Sequence, residues 1–303
     1  MTLQFIVDGL LSGATIGLGA VGITLSYSLL RFANFAHGEF ITWGCYATWL
    51  GASALGAAIP AAALPLGSLS ATAAIVAAGL LAMALTGLLA LLVDAVLFRP
   101  LRRRGTAASA LIASFGASMA LRALLEAGIP AQQAYLSSEL QIAVPVLGLF
   151  RVTPDQLALG AGAAVLAGAL HGLLARTAFG RSMRAVSENP ALARLSGVDV
   201  ERVIAHTWLL GGALACAAGI MLGLLVQMRA SMGAELLLPL FAAAIVGGIG
   251  SVPGALLGGL VVGLAEAAAV SLVGAPWRAA VAFGVVMLTL LLRPQGLFGR
   301  AAP

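Results

Sequence analysis

The chain has 303 residues, 61% of them hydrophobic and 9% charged, with a mean hydropathy of +1.06. A soluble domain carries roughly 25% charged residues to solvate its surface, so a water-soluble fold is excluded and most of the surrounding solvent must be lipid. All 16 basic residues are arginine, and against 11 acidic residues they leave a formal charge of +5. In a soluble protein a pI near 10.2 would point to nucleic acid. Here the arginines concentrate between apolar runs, a pattern that reports membrane orientation, and no nucleic-acid partner is expected.

The first apolar run, Leu3 to Leu30, is too long for a signal-peptide core and has no basic flank, so it reads as a retained first helix. Crossing a hydrocarbon core takes about 20 apolar residues. The runs are continuous and rich in Ala, Leu and Gly rather than alternating in polarity, which excludes a membrane β-barrel. Patterning predicts helices at about 4–30, 36–58, 70–97, 108–128, 155–175, 203–227, 236–250, 254–273 and 276–292. The expected fold is an all-α polytopic membrane protein of eight to nine transmembrane helices, one transmembrane domain over 1–303. Two elements leave room for broken or re-entrant segments: 36–58, which follows Asn34 after a very short break, and 236–250, which is short for a span.

Arg99, Arg102, Arg103 and Arg104 crowd the 97–107 loop, and Arg176, Arg181, Arg184, Arg194 and Arg202 mark the 176–202 loop. Both are expected to be cytoplasmic. Arg293 and Arg300 put the C-terminus on the same side; nine spans then place the N-terminus outside, eight inside. The 129–154 segment, with Gln132, Gln133, Ser137, Ser138 and Glu139, reads as an external loop with space for a small amphipathic element. Weak internal symmetry pairs a break at Arg31 to Gly38 with another at Gly247 to Gly254. Gly9, Gly13 and Gly17, like Gly254, Gly258, Gly259 and Gly263, form smooth stripes that let a neighbouring backbone approach closely.

Polar groups at membrane depth are costly and need a partner or an aqueous path. The richest cluster is Asn34-Phe35-Ala36-His37-Gly38-Glu39-Phe40, preceded by Arg31. A backbone break there is tolerable only inside protein or along a cavity, and transporters use such breaks to hold polar solutes. Asn34, Ala36, His37, Gly38 and Glu39 are therefore the candidate pathway residues. The bland alternative is that Asn34 caps the next helix while His37 and Glu39 satisfy each other or a nearby carbonyl.

A second polar stretch runs from Gly180 to Val198. Asn189-Pro190 can start a short helix and Gly197 can end it, placing Leu192 and Leu195 on one face. An apolar face with basic flanks is a docking element for a partner; an ordinary solvated loop is the alternative. Arg122 and Glu126, four apart, are expected to pair. Asp94 and Glu266 have no partner nearby in sequence, which leaves a proton relay or a packing role. His206 and His171 lie near helix ends, where packing is the default. Cys45 and Cys216 sit in apolar segments, so neither a disulfide nor a metal site is expected. The chain has no phosphate loop, serine elbow or paired zinc histidines, so it is not expected to be an enzyme.

The run Leu25 to Phe40, with its Asn34-Phe35-Ala36-His37-Gly38-Glu39 core, resembles the signature of permease subunits of bacterial branched-chain amino acid ABC importers. Gly180 to Val198, Gly247 to Ala255 and Arg293 to Gly299 are similar to that family in order and spacing. The resemblance implies a bacterial inner-membrane permease paired with a second homologous permease, two cytoplasmic ATPase subunits and a periplasmic solute-binding protein. It implies no cofactor in this chain, with ATP and Mg used by the partner subunits. The 176–202 loop would carry the coupling helix, with Arg181, Arg184, Glu188, Asn189, Leu192 and Gly197 as its contact residues. These motifs do not separate amino acids from urea or short-chain amides, and an ion-coupled carrier is a further alternative.

Overall fold

The computed structural model describes residues 4–129, 134–137, 141–146 and 150–299. Twelve α-helices occur among the described residues. α1 (Gln4–Leu30), α2 (His37–Ala58), α3 (Ala73–Val93) and α5 (Ala107–Gly128) make up the N-terminal half. α6 (Pro154–Arg176), α9 (Val200–Leu225), α10 (Met232–Gly247), α11 (Val252–Leu272) and α12 (Arg278–Leu292) make up the rest. Among the described residues, seven helices are long and apolar enough to cross a membrane. α10 is apolar with 16 residues, and α2 has 22 but carries His37 and Glu39 in its first turn.

Helix starts follow local chemistry. Thr72, Thr106, Thr153, Asp199 and Ser251 each accept a backbone N–H of the first turn of α3, α5, α6, α9 and α11. Such caps satisfy amides that a helix leaves unpaired. α2 and α10 start without a side-chain cap of this kind. These two are the helices that follow breaks.

The core is built on α1, which packs against α9, α10 and α11. Gly9, Gly13 and Gly17 lie against Leu264, Leu260 and Leu256 of α11, running antiparallel; a Cβ on Gly13 would stand 2.8 Å from Leu260 Cα. Gly259 and Gly263 face back onto Gly13. The expected glycine stripes therefore meet each other, and dispersion contact between backbones replaces the hydrophobic drive that lipid cannot supply. α5, α6 and α12 lie at the periphery and expose Phe115, Val165 and Leu291.

Three expected boundaries change. The 97–107 loop is mostly helical: α3 runs through a π turn, Asp94–Phe98, into α4 (Arg99–Arg104). Asp94 does have a partner, because the extra helix carries Arg102 back to it, with Nη2 donating to Oδ2 at 3.1 Å. Within 176–202, an additional helix, α7 (Ala178–Glu188), precedes the expected short helix, α8 (Pro190–Leu195). In the 129–154 segment the described residues form a small hairpin, β1 (Val144–Val146) with β2 (Phe150–Val152), where an amphipathic element had room. Gln132, Gln133, Ser138, Glu139 and Arg300 lie outside the described residues.

The turn at Gly247 to Gly254 closes α10 onto α11, and it is sealed by the C-terminal stretch: Leu297 N donates to Val246 O at 2.8 Å and Phe298 N to Gly247 O at 3.0 Å. The Gly247 to Ala255 and Arg293 to Gly299 stretches, far apart in sequence, thus form one joint. The break that meets the early one in space is 226–231, between α9 and α10, through the contact of Gly233 with Gly38.

Candidate functional site: two broken helices and a short exposed helix

After α1 ends, Arg31 takes a left-handed conformation with φ 58° and the chain turns back into the bundle. His37, the first residue of α2, places Nε2 3.0 Å from Gly19 O. Gly19 lies about three turns before the end of α1, roughly 16 Å along its axis at 1.5 Å per residue. Six residues span at most about 20 Å when fully extended; the 31–36 link ends in a turn at 35–36, and the length of the His37 side chain completes the reach to Gly19. The imidazole fits only because Gly22 has no side chain; a Cβ there would lie 2.6 Å from His37 Nε2.

Asn34 does not cap α2. Its Oδ1 accepts Ala36 N at 3.1 Å, and Ala36 occupies the cap position. Phe35 N donates to Ser114 Oγ at 3.2 Å. His37 and Glu39 do not bond each other. Glu39, fully buried, accepts Ser118 Oγ at 3.1 Å and pairs with Arg122 at 3.4 Å. The expected pairing of Arg122 with Glu126 gives way to this contact, because Arg122 shares its α5 face with Ser114 and Ser118 and that face looks onto the break.

The second break brings α10 to the same point. Gly38 and Gly233, each in the first turn of its helix, are in backbone contact, and Gly233 N donates to Thr42 Oγ1 at 3.0 Å. Two helix N-termini thus converge inside the bundle, each carrying the equivalent of about half a positive charge. Beside them Asn34 Nδ2 and Glu39 Oε2 are buried without a hydrogen-bond partner among the described residues. Such atoms call for an explanation such as water or a ligand.

Toward the arginine-rich end the cluster is closed by aromatic rings. The π turn directs Phe98 inward, where it stacks on Trp208 at 5.2 Å and meets Phe32 at 5.1 Å. Phe40 packs edge-on to Trp208 at 6.4 Å. Below this plug, Glu201 of α9 pairs with Arg99 at 3.3 Å and Arg102 at 3.4 Å, tying α4 to α9. Glu266 also has a partner, Arg278 at 2.9 Å, which joins α11 to α12.

α8 forms as its residues suggest. Asn189 Oδ1 accepts Ala191 N and Leu192 N, both at 3.0 Å, Pro190 sits at the first helical position, and Gly197 ends the helix at φ 83°. Leu192 and Leu195 are 61% and 86% exposed. Arg184 Nη1 donates to Leu174 O at 2.7 Å, fastening α7 to the end of α6, while Arg181 and Glu188 lie on the exposed side of α7. Arg31 Nη2 donates to Ser187 O at 2.8 Å, so α7 touches the early break directly.

Sequence reading missed the roles of Gly22, Ser114, Ser118, Arg31, Thr42 and Gly233. A signal existed for the α5 residues: Ser114, Ser118 and Arg122 recur every four positions, one polar stripe on an apolar helix. The contacts of Thr42 and Gly233 had none. His206 Nδ1 lies 2.6 Å from Arg202 O. No three His, Cys, Asp or Glu side chains gather into a metal-binding group among the described residues, and Cys45 and Cys216 are buried free thiols.

A helical bundle with two interrupted helices meeting inside it, and a basic helical element outside it, defines a polytopic membrane protein of the transporter class. The chain belongs to the family described as branched-chain amino acid transport system / permease component, which matches residues 5–292. It is 32% identical to the high-affinity branched-chain amino acid transport system permease protein BraD of Pseudomonas aeruginosa, over 98% of this chain and 96% of that one. Identity to the corresponding protein LivH of Escherichia coli K12 is 31%, with the same shares covered. A probable branched-chain amino acid transport permease of Methanocaldococcus jannaschii is 37% identical over 43% of this chain and 44% of its own length.

Proposed function

We propose that the chain is the inner-membrane permease subunit of an ATP-driven importer for branched-chain amino acids or closely related small solutes. The observation that carries this reading, beside family membership, is the bond between Arg31 and Ser187. It connects the end of α7, next to the helix suited to docking, with a helix break suited to a solute. α8 offers Leu192 and Leu195 to a cytoplasmic ATPase, with Arg181, Glu188, Asn189 and the Gly197 turn around them. Asn34, Ala36, His37, Gly38 and Glu39 lie beside the pathway, with a second permease subunit completing it and a periplasmic binding protein delivering the solute. ATP and Mg belong to the ATPase subunits.

In this reading the arginine-rich end is cytoplasmic, in keeping with the retention of basic residues on that side. The facing N-termini of α2 and α10 suit a carboxylate, as half-helix N-termini do in other transporters. ATP-driven closure of the ATPases would move α7 and α8, and Arg31 would pass that motion to the 31–36 link beneath the aromatic plug. A ligand shifts only states that it binds unequally, so direction follows from the nucleotide state.

Uptake of labelled leucine by cells lacking the chain, against restored wild type, tests the reading. Loss on deletion and recovery on restoration is expected. Unchanged uptake would remove leucine and turn the test to urea and short amides, and uptake by this chain alone in liposomes without ATP would overturn the importer reading.

A further inference from the structure

A cavity of about 930 Å³ opens between α3, the α6–α7 corner and α9, away from the helix breaks. It exists because α3 is drawn tightly onto α9, with Gly87 against Leu209 O and Gly212 against Thr86 O. α6 leans instead on α1, and a wedge is left between α6–α7 and α3. Its inner wall is apolar: Met83, Ala84 and Leu88 of α3 and Leu209, Leu210 and Ala213 of α9. Leu88 is 54% exposed, so the wall continues onto the outer, lipid-facing surface of the bundle.

One end of the cavity differs. Ser182 of α7 and Asp199, Arg202 and His206 at the start of α9 line it. Asp199 and Arg202 pair at 3.0 Å, yet their side chains remain 52% and 81% exposed. A carboxylate and a guanidinium therefore stand side by side, open to solvent, at the arginine-rich end of an apolar slot. The volume falls within the roughly 300–1,000 Å³ usual for a small-molecule site. An apolar body with a charged end describes an amphiphile, and adjacent opposite charges describe a zwitterionic head.

We propose that this cavity holds a phosphatidylethanolamine molecule of the adjoining leaflet, one acyl chain along the α3–α9 wall and its headgroup between Asp199 and Arg202. The phosphate lies toward Arg202, where charge-assisted hydrogen bonds favour it, and the ammonium lies toward Asp199. A purely anionic phospholipid would gain the first contact and meet repulsion from the second. Because Phe179 and Ser182 belong to α7, the lipid contacts the helix that leads into the docking element α8. The inference rests on the membrane placement given above, while its test requires neither uptake nor ATP.

Full-length protein would be extracted from membranes containing phosphatidylethanolamine and phosphatidylglycerol, washed in detergent, and weighed by native mass spectrometry. Wild type is expected to retain one phosphatidylethanolamine per chain. Filling the slot with Ala84→Trp should lower retention about tenfold, the loss of roughly 1.4 kcal/mol of binding. Asp199→Asn keeps a good helix cap and removes the negative charge, so it should shift retention toward phosphatidylglycerol. Absence of retained phospholipid in wild type, equal retention in a folded Ala84→Trp protein, or unchanged head preference in Asp199→Asn would each overturn the proposal. So would efficient cross-linking of Ala84→Cys to another protein chain in the native membrane, which would mean that a subunit covers the slot.

Discussion

Arg31 and Ser187 are joined by a 2.8 Å hydrogen bond from Nη2 to the carbonyl oxygen, although they belong to different halves of the chain. Arg31 holds a left-handed backbone with φ 58° while making it. Ser187 supplies a carbonyl from the last turn of α7, one of those that a helix leaves unpaired. The bond thus joins the hinge of the early break to the end of the helix before α8. Arg31→Gly removes the side chain without adding backbone strain, since glycine tolerates this conformation. Uptake per assembled complex should fall about 5- to 150-fold, the range of a coupling energy of 1–3 kcal/mol, while ATPase subunits still co-purify. Unchanged uptake would show that the bond transmits nothing.

His37 occupies space that Gly22 leaves free. In Gly22→Ala the new methyl group would meet the imidazole and push Nε2 away from Gly19 O. Overpacking of this kind costs about 1–3 kcal/mol, and thermal unfolding of the purified protein should fall accordingly. Gly116, whose surroundings are open, is the control; Gly116→Ala should leave the melting temperature unchanged or slightly raised.

Glu39 is buried and shares one carboxylate oxygen between Ser118 and Arg122. Arg122→Met leaves that carboxylate without its cation, and breaking a buried pair from one side costs about 3–5 kcal/mol. Arg122 is partly exposed, so the lower end of that range applies. Adding Glu39→Gln should restore much of the loss, because a neutral amide keeps the Ser118 contact without needing a charge partner. Denaturant unfolding of the two single variants and the double variant measures this directly; additive losses would contradict the pairing.

Leu192 and Leu195 stand mostly exposed on α8. Replacing both with Asp should change the unfolding free energy by no more than about 0.5 kcal/mol per site, as for other surface positions. Association with ATPase subunits should nevertheless be lost, read as absence from the co-purified material. Asn189→Ala should weaken the same association partially, since loss of the cap costs about 1 kcal/mol of helix stability.

Much of this architecture was legible because a membrane imposes simple rules. The apolar runs located α1, α2, α5, α6 and α11 to within a few residues, and Asn189, Pro190 and Gly197 were sufficient to place α8. Those signals are local: hydrophobic length, a cap, a proline, a left-handed glycine. The glycine stripes of α1 and α11 also declared their use, since small residues every fourth position let a neighbouring backbone approach closely. Arg102 was misread as loop because a run of arginines after an apolar helix reads as a solvated turn, whereas the helical path carries on through the π turn into α4.

By itself the sequence determined the lipid environment, the helical class, the break around Asn34 to Glu39 and the basic element around Asn189, each set by residues adjacent along the chain. Only the tertiary structure decided that Arg122 serves Glu39 and not Glu126, that His37 reaches Gly19, and that Gly38 meets Gly233 across two breaks. Those contacts depend on how far a short link carries a helix back into the bundle and on which faces then oppose each other. Pair spacing along one helix holds no information about either, because a buried charge is stabilised by whichever partner the packing brings within reach.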